Sequence, residues 1–262
     1  MTIHLRAKEA LSVMRAAREC ERFYDKTTGV EVSMRLSDAR AWIGFSGTRY
    51  HSSTEVLGNL RIWRRACAPY LAAGESVHSG FARQYDACRK RVRSFARGII
   101  APREVIVFGH SRGGATACLC ACDFARNPPW HGTSILMCIT FGAPAAGNVA
   151  FARAFERVVP RFRRIVTPGD VVPVLLPRWL GYEHARNKAE GDMEEIEVDV
   201  NGAEADDDEE CCRHPLLVET EARERHATWC CLFGWCCALP PCRVHSEQRY
   251  RQYTTARGRD VV

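Results

Sequence analysis

The sequence predicts a single α/β domain built on a mostly parallel central sheet with helices on both faces. In the middle of the chain, short apolar runs of strand length alternate three times with runs of helical spacing. This alternation is typical of parallel strands joined by helical crossovers. The 262 residues are 46% hydrophobic, which is enough for one large core and excludes a chain disordered throughout. We therefore expect one domain over residues 1–262.

The individual elements follow from periodicity and from breaker residues. Residues 104–108 are apolar and β-branched, and the Ala- and Cys-rich run that follows stops at Asn127-Pro128-Pro129. Asn148 suits the N-cap of the next helix. In chain order we predict a helix over 7–23, strands over 30–36 and 41–45, a helical segment over 54–65, a helix over 79–97, a strand over 104–108, a helix over 112–126, a strand over 134–141, a helix over 148–158, and strands over 162–166 and 194–200.

The net charge of +6 hides an acidic and Cys-rich insert over residues 190–242. Residues 190–210 hold 12 carboxylates and no Lys or Arg, which leaves 37 basic against 19 acidic residues, or +18, on the rest of the chain. Seven of the 14 cysteines lie between Cys211 and Cys242. The arginines are scattered, whereas nucleic-acid binding usually needs a basic stripe or a recognisable module, so we expect no nucleic-acid partner.

The first 20 residues mix Arg and Glu in an amphipathic pattern and lack the apolar run of a secretory signal. No stretch reaches the about 18 apolar residues that a membrane-spanning helix needs. We therefore expect a cytoplasmic protein with mostly reduced thiols, and peripheral membrane contact as an additional option.

A candidate nucleophile stands between a predicted strand and a predicted helix. Gly109-x-Ser111-x-Gly113 follows the strand that ends at Phe108 and precedes the helix that starts at Arg112. Such a turn lifts a serine hydroxyl above the sheet, and glycines flank it because side chains there would collide with the neighbouring strand and helix. The helix start also aims backbone N–H groups at developing negative charge. The alternative is a glycine-rich turn with an incidental serine.

A nucleophilic serine needs an orienting acid and a base, which follow it in this architecture in the order Ser, Asp, His. Asp170 comes in a turn after the strand over 162–166, at the carboxyl edge where ligands gather in open α/β sheets. The alternative is a turn residue beside Gly and Pro. Four histidines follow Asp170 and leave the base open, although the tail position modestly favours the last of them: His184, His214, His226 and His245.

Five short blocks occur in an order and spacing that is far more specific than any one of them. They are residues 44–48 (GFSGT), 77–81 (VHSGF), 107–115 (VFGHSRGGA), 140–144 (TFGAP) and 169–173 (GDVVP). Together they resemble the class 3 lipases, the fungal-type triacylglycerol lipases and their relatives within the α/β-hydrolase fold. The resemblance covers about residues 41–176 and continues faintly through residues 181–184 and His245.

The resemblance implies a role for each matching residue. Ser111 matches the nucleophile, Asp170 the acid and His245 the base. Thr48 and Arg112 match the residues whose backbone N–H groups form the oxyanion hole. The implied reaction is acyl transfer, in which Ser111 attacks an ester carbonyl and water then releases the fatty acid. The resemblance implies no cofactor and no metal.

Three positions depart from the family pattern. Arg112 stands where leucine is usual, which adds a cation at the mouth of the site, and Ser46 stands where arginine is usual. The lid region over residues 49–59 has only Val56 and Leu57 as aliphatic residues. We therefore do not expect the strongly amphipathic lid behind interfacial activation.

The Cys-rich segment allows three interpretations. Its adjacent cysteine pairs lack the Cys-x-x-Cys spacing of a zinc hairpin, which disfavours a metal site. Residues 229–239, from Trp229 to Leu239, combine tryptophans, aliphatic residues and thiols open to acylation, which suggests peripheral membrane contact. The simplest interpretation is an apolar flap whose cysteines pack as small hydrophobic residues.

The function predicted from these observations is a serine ester hydrolase, specifically a lipase that cleaves acylglycerol-type carboxylic esters. The alternative from another class is a catalytically silent α/β-hydrolase that binds lipid or a protein partner. A peptidase or thioesterase is a weaker third alternative, because the same triad supports both chemistries.

Overall fold

The computed structural model describes residues 20–37, 40–47, 63–98, 104–130, 132, 134–166 and 170–186. Two short 3-10 turns, Val172–Val174 and Arg178–Leu180, follow the last strand. The strands and helices are, in chain order, β1 (Glu21–Tyr24), β2 (Glu31–Ser37), β3 (Arg40–Phe45), β4 (Arg64–Arg65), β5 (Val77–His78), α1 (Ser79–Arg97), β6 (Glu104–His110), α2 (Arg112–Arg126), β7 (Ile135–Phe141), α3 (Val149–Val158) and β8 (Arg161–Ile165).

Six strands form the central sheet in the order β1-β2-β3-β6-β7-β8, and β4 pairs with β5 separately. The pairs β3–β6, β6–β7 and β7–β8 are parallel, whereas β1–β2 and β2–β3 are antiparallel. The register sets Phe45 opposite Gly109, and His110 opposite Phe141. The carboxyl ends of the parallel strands therefore meet at one edge, as the predicted mostly parallel sheet requires.

Both faces of β6, the strand between β3 and β7, are buried, which explains why this strand is apolar without alternation. Val105 and Val107 on one face of β6, and Ile106 and Phe108 on the other, all have 0% exposure. Strands covered on both faces read as continuous Val- and Ile-rich runs because neither face meets water. The strands and helices predicted between residues 79 and 166 are confirmed with shifts of one or two residues at their ends.

Helix α2 packs against β3, β6 and β7, and against α1 and α3. Twelve of its 15 residues are buried, and small side chains allow this because they let the backbone approach the sheet. Cys118, Cys120 and Cys122 are free thiols inside this packing, where they act as small hydrophobic residues. Burial raises the pKa of Cys122 to about 12, so its thiol stays neutral at physiological pH.

A buried carboxylate ties α1 to α2. Asp123 has no exposed surface and accepts hydrogen bonds from the Tyr85 hydroxyl (2.7 Å) and from Arg89 Nε (2.9 Å). The Arg93 guanidinium lies 3.3 Å from the same carboxylate and donates to the Asn127 carbonyl oxygen at 3.0 Å. Because Asp123 is fully surrounded by donors, its charge is compensated inside the protein.

We expect Asp123→Ala to lower the free energy of unfolding by about 3–5 kcal/mol, because it leaves the Tyr85 hydroxyl and two arginines without their acceptor. Urea unfolding measures the change. The control is Glu21→Ala, which breaks an exposed pair with Arg91 and should cost less than about 1 kcal/mol. Equal losses in the two variants would contradict the buried network.

Two predicted helices are wrong at the ends that the structure describes. Residues 21–23 lie in β1, which pairs antiparallel with β2 across a tight turn. Arg64 and Arg65 form β4, which pairs with β5. Pairing with a neighbouring strand overrides helical spacing, because the partner supplies backbone hydrogen bonds that local sequence does not reveal.

Other predictions lie outside the described residues. These are the remainder of the two helices, the lid region over 49–59, the strand over 194–200 and the insert over 190–242. The single domain over residues 1–262 therefore stays a prediction.

Candidate active site

Ser111 occupies a strained turn between β6 and α2. Its φ of 55° and ψ of −131° make it the non-glycine residue with a positive φ in the part of the chain that the structure describes. Its N–H donates to the Phe141 carbonyl oxygen at 2.8 Å, and its own carbonyl accepts from the N–H of Gly114 at 2.9 Å. Such backbone strain costs about 1–3 kcal/mol and persists only where the surroundings hold it.

The flanking glycines are required by close backbone packing. A Cβ on Gly109 would overlap the backbone of Gly113, and a Cβ on Gly113 would overlap the carbonyl oxygens of Phe45 and Ser46. A Cβ on Gly114 would lie 2.7 Å from the Ala143 Cβ. The prediction that side chains at these positions would collide with neighbouring elements is therefore confirmed. The crowding atoms belong to residues at or just beyond the ends of β3, β6 and β7, and to the start of α2.

The end of β3 adjoins the serine. A Cβ on Gly47 would lie 3.4 Å from the Ser111 Cβ and 2.9 Å from Nδ1 of His110. Thr48, the next residue and the predicted second oxyanion donor, lies outside the described residues. Gly47, the last described residue before Thr48, lies against the serine.

Asp170 comes after β8, whose carboxyl end lies at the same edge of the sheet as Ser111. Gly142, which follows β7, donates its N–H to the Ile165 carbonyl oxygen of β8 at 2.9 Å, next to the Ser111–Phe141 bond. Asp170 follows β8 by five residues and is 8% exposed. Its Oδ1 accepts the N–H of Val172 at 2.9 Å, which fixes the carboxylate in its turn.

His184 is engaged with the loop that carries Asp170. Its Nε2 lies 2.7 Å from the Pro173 carbonyl oxygen, and because a carbonyl only accepts, this nitrogen carries the proton. Burial, aided by the nearby Arg164, lowers the pKa of His184 to about 3. A catalytic base works best with a pKa near the operating pH, so His184 is poorly suited to that role.

The described residues include three of the five predicted site residues, Ser111, Arg112 and Asp170. His245 lies outside the described residues, as do the other two candidate bases, His214 and His226. The sequence alone did not reveal the bond from His184 to Pro173, because no local pattern connects the two residues.

The family profile described as lipase (class 3) matches residues 42–179, more than half of the chain. The chain belongs to the class 3 lipase family. The predicted family and the α/β-hydrolase fold are thereby confirmed.

Curated relatives of this chain carry the word lipase in their names. It is 34% identical over 116 residues to a lipase of Rhizomucor miehei, which covers 43% of the chain and 32% of that protein. It is also 34% identical over 167 residues to a secreted mono- and diacylglycerol lipase of Malassezia restricta, covering 62% of the chain and 52% of the relative. The chain spans about half the length of these relatives or less.

Solved lipase structures share the fold. Lipase II from Rhizopus niveus superposes with a TM-score of 0.56 at 27% identity, over 63% of this chain and 62% of that one. A triacylglycerol lipase whose catalytic centre is described as a serine protease triad matches with a TM-score of 0.55 at 27% identity, over 63% of each chain. The likeness supports the predicted α/β-hydrolase fold.

The expected cytoplasmic location is wrong. The relatives from Malassezia restricta and Malassezia globosa are named secreted lipases. The expectation rested on the composition of the first 20 residues, and the reduced thiols were deduced from it. Cys88, Cys118, Cys120, Cys122 and Cys138 are free and buried in the core. Burial accounts for such thiols in any compartment, since they pack as small hydrophobic residues.

Within the described ranges, no helix combines the length and the hydrophobicity needed to cross a bilayer. The predicted membrane-contact segment, from Trp229 to Leu239, lies outside those ranges.

The low pKa of His184 predicts a pH-dependent stability. An unfolded imidazole binds a proton near pH 6.5, whereas the folded ring does so only near pH 3. The stability contributed by the neutral ring is therefore complete above about pH 6.5 and is lost as the pH falls toward 3. We expect His184→Gln, which keeps an N–H donor for Pro173, to lose less stability than the wild type between pH 7 and pH 5. Urea unfolding at both pH values measures this, and an equal drop in the two proteins would contradict it.

Proposed function

We propose that the chain is a serine ester hydrolase, a lipase that cleaves acylglycerol-type carboxylic esters. Ser111 is the nucleophile, His245 the base and Asp170 the acid of the triad. The backbone N–H groups of Thr48 and Arg112 form the oxyanion hole. The observation that carries the proposal is the strained backbone of Ser111 at the head of a buried helix, because folding has no need for this strain and nucleophilic attack does.

The reaction begins when the Ser111 hydroxyl attacks the ester carbonyl carbon while His245 removes its proton. The carbonyl oxygen becomes an oxyanion that accepts the N–H groups of Thr48 and Arg112. When this intermediate collapses, the bond to the alcohol breaks and His245 donates the proton to the leaving oxygen. Water then attacks the acyl-enzyme with His245 again as base, and the fatty acid leaves. Asp170 orients the imidazole and stabilises its protonated form.

The helix that follows the nucleophile contributes electrostatically. Arg112 is the first residue of α2, so its backbone N–H lies at the positive end of the helix dipole. Negative charge that develops on the substrate oxygen beside Ser111 is stabilised there without any rearrangement of the protein. The Asp170 carboxylate is held independently by the Val172 N–H, which supports its role as the acid of the triad.

The substrate class rests on the family and on the names of the relatives. The names of curated relatives include mono- and diacylglycerol lipases, and a solved relative is described as a triacylglycerol lipase. Lipid contact outside the active site, including contact through the segment from Trp229 to Leu239, belongs to the proposal as well. A class 3 lipase with weak lid amphipathicity should hydrolyse dispersed esters without a large jump in rate at an interface.

The test combines covalent labelling with turnover. A fluorophosphonate probe should label the wild type and not Ser111→Ala, and the wild type should release fatty acid from emulsified mono-, di- and triacylglycerols. Release of p-nitrophenol from short- and long-chain esters separates a lipase from a simple esterase. Absence of Ser111-dependent labelling would favour the catalytically silent alternative, which a lipid-binding assay on the same preparation would then measure.

A further inference from the structure

The turn between β1 and β2 lies at the catalytic edge of the sheet. Val32 pairs with Phe45 at the end of β3, and the N–H of Ser46 donates to the Glu31 carbonyl oxygen at 3.0 Å. The chain that precedes Glu31 therefore runs past the carboxyl end of β3. At this edge projects the strained turn of residues 109–113 that carries Ser111, which we call the elbow.

That turn is rigid and presents a fixed acceptor. Asp25 Oδ1 accepts both the N–H and the hydroxyl of Thr28 at 2.8 Å, and these bonds hold the pKa of Asp25 below its usual value. The N–H of Gly29 donates to the Asp25 carbonyl oxygen at 2.8 Å, and the N–H of Asp25 donates to Val30 at 3.0 Å. Gly29 has a φ of +66°, a conformation that favours glycine. The turn therefore fixes the orientation of the Gly29 carbonyl oxygen.

Arg112 reaches this acceptor from the elbow. Its Nη2 donates to the Gly29 carbonyl oxygen at 3.0 Å, across 83 residues of sequence. A Cβ on Gly29 would lie 3.5 Å from Nη2 and 3.9 Å from Nη1, so the guanidinium packs on the bare face of the glycine. The residue that offers the predicted oxyanion N–H is therefore also anchored through its side chain.

A second set of hydrogen bonds connects the same two places. The Thr116 hydroxyl shares its one proton between two acceptors, the Arg112 carbonyl oxygen at 3.1 Å and Gln84 Oε1 at 3.0 Å. Gln84 Nε2 in turn donates to the Thr28 carbonyl oxygen at 3.3 Å. Thr116 and Gln84 are buried at 0% and 5% exposure, so water does not compete for these bonds. The first turn of α2 is thus fastened to the β1–β2 turn on two sides.

We infer that Arg112 is a positioning residue whose side chain, through Gly29, holds the first turn of α2 and with it the Arg112 N–H that faces the oxyanion. The inference rests on the proposed function. Leucine, the usual residue here in the resemblance, has no donor for the Gly29 carbonyl, so this bond depends on the arginine of this chain. Oxyanion donors work only within a narrow range of distance, and a misplacement of about 1 Å costs about a hundredfold in rate.

The anchor also restrains the strained serine. Ser111 directly precedes Arg112, and its φ of 55° requires that both flanking segments be held. On one side the β6–β7 pairing holds His110, and on the other the Arg112 side chain holds the helix start. The positions of Ser111 and of the Arg112 N–H matter most in the transition state. Loss of the anchor should therefore lower kcat more than it raises KM.

The test compares Arg112→Met and Arg112→Lys with a matched control, Arg93→Met. Arg93 also donates to a backbone carbonyl oxygen at 3.0 Å, that of Asn127, but at the opposite end of α2. For each protein we would measure kcat and KM on p-nitrophenyl butyrate, the inhibition constant of an alkyl boronic acid that forms a tetrahedral adduct on Ser111, and urea unfolding. We expect Arg112→Met to lower kcat about tenfold and to weaken the boronate by a similar factor, with KM within about twofold.

The lysine variant retains one donor and should recover most of the rate. Arg93→Met should lower stability and leave kcat and boronate inhibition at their wild-type values, because its bonds are remote from the elbow. Wild-type kcat and boronate inhibition in Arg112→Met would overturn the inference alone. An equal loss of kcat in Arg93→Met would also overturn the inference. It would show that any destabilisation of α2 lowers kcat, wherever on the helix the bond is lost. A wild type without Ser111-dependent hydrolysis would defeat the proposed function, and the inference with it.

Discussion

Ser111→Gly should abolish ester hydrolysis and at the same time make the protein more stable. The variant lacks the nucleophilic hydroxyl, and the loss of a triad nucleophile lowers kcat by up to about a millionfold. Glycine adopts a φ of 55° without steric cost, so the variant is relieved of about 1–3 kcal/mol of strain. The greater chain entropy of unfolded glycine offsets about 0.4–1 kcal/mol of this gain. We expect a net increase of about 1 kcal/mol in the free energy of unfolding.

Ser111→Ala separates the two effects. Alanine also lacks the hydroxyl but keeps the Cβ that makes the backbone conformation unfavourable, so it should be inactive with a stability close to that of the wild type. Urea unfolding and p-nitrophenyl ester hydrolysis of the three proteins provide the comparison. If Ser111→Gly proved no more stable than Ser111→Ala, the backbone conformation of Ser111 would not cost the stability that its φ indicates.

His245→Ala should lower kcat about as severely as Ser111→Ala. The members of a triad act as a unit, so the reductions in kcat caused by single substitutions are not additive. In the proposed mechanism no other residue takes the proton from Ser111. The double variant Ser111→Ala, His245→Ala should therefore be no slower than either single variant. The measurement is hydrolysis of p-nitrophenyl butyrate together with the rate of fluorophosphonate labelling.

His184→Ala is the matched control for the base. His184 donates to the Pro173 carbonyl oxygen, and burial lowers its pKa to about 3. Its loss should reduce the free energy of unfolding by about 1–3 kcal/mol, because the Pro173 carbonyl loses its donor, and should reduce kcat far less than the loss of His245. A variant of His184 as inactive as Ser111→Ala, combined with an active His245→Ala, would assign the base to His184.

The elbow could be predicted because its requirements are local. A β-branched strand, two flanking glycines and a small-residue helix are all adjacent in sequence, and the structure confirms each of them around Ser111. The central strands and α1 to α3 followed from periodicity for the same reason. Asp170 was predictable as a turn residue after a strand, since the carboxyl ends of parallel strands share one edge.

The failures share a different cause. The strand at residues 21–24 and the short strand at Arg64 and Arg65 exist because a partner strand accepts their backbone hydrogen bonds. The cytoplasmic expectation rested on the composition of the first 20 residues, and relatives named as secreted lipases contradict it. In each case the residues that prompted the expectation did not contain the deciding information. For the two strands it was the partner strand, and for the location it was the names of the relatives.

The sequence by itself determined the α/β class, the family and the position of the candidate nucleophile, because these depend on spacing along the chain. Only the tertiary structure decided what the long polar side chains do. Arg112 looked like a cation at the mouth of the site, yet its guanidinium binds Gly29, and His184 looked like a candidate base, yet it binds Pro173. A long side chain takes the partner that the sheet brings to the same edge, and sequence separation does not reveal which loop that is.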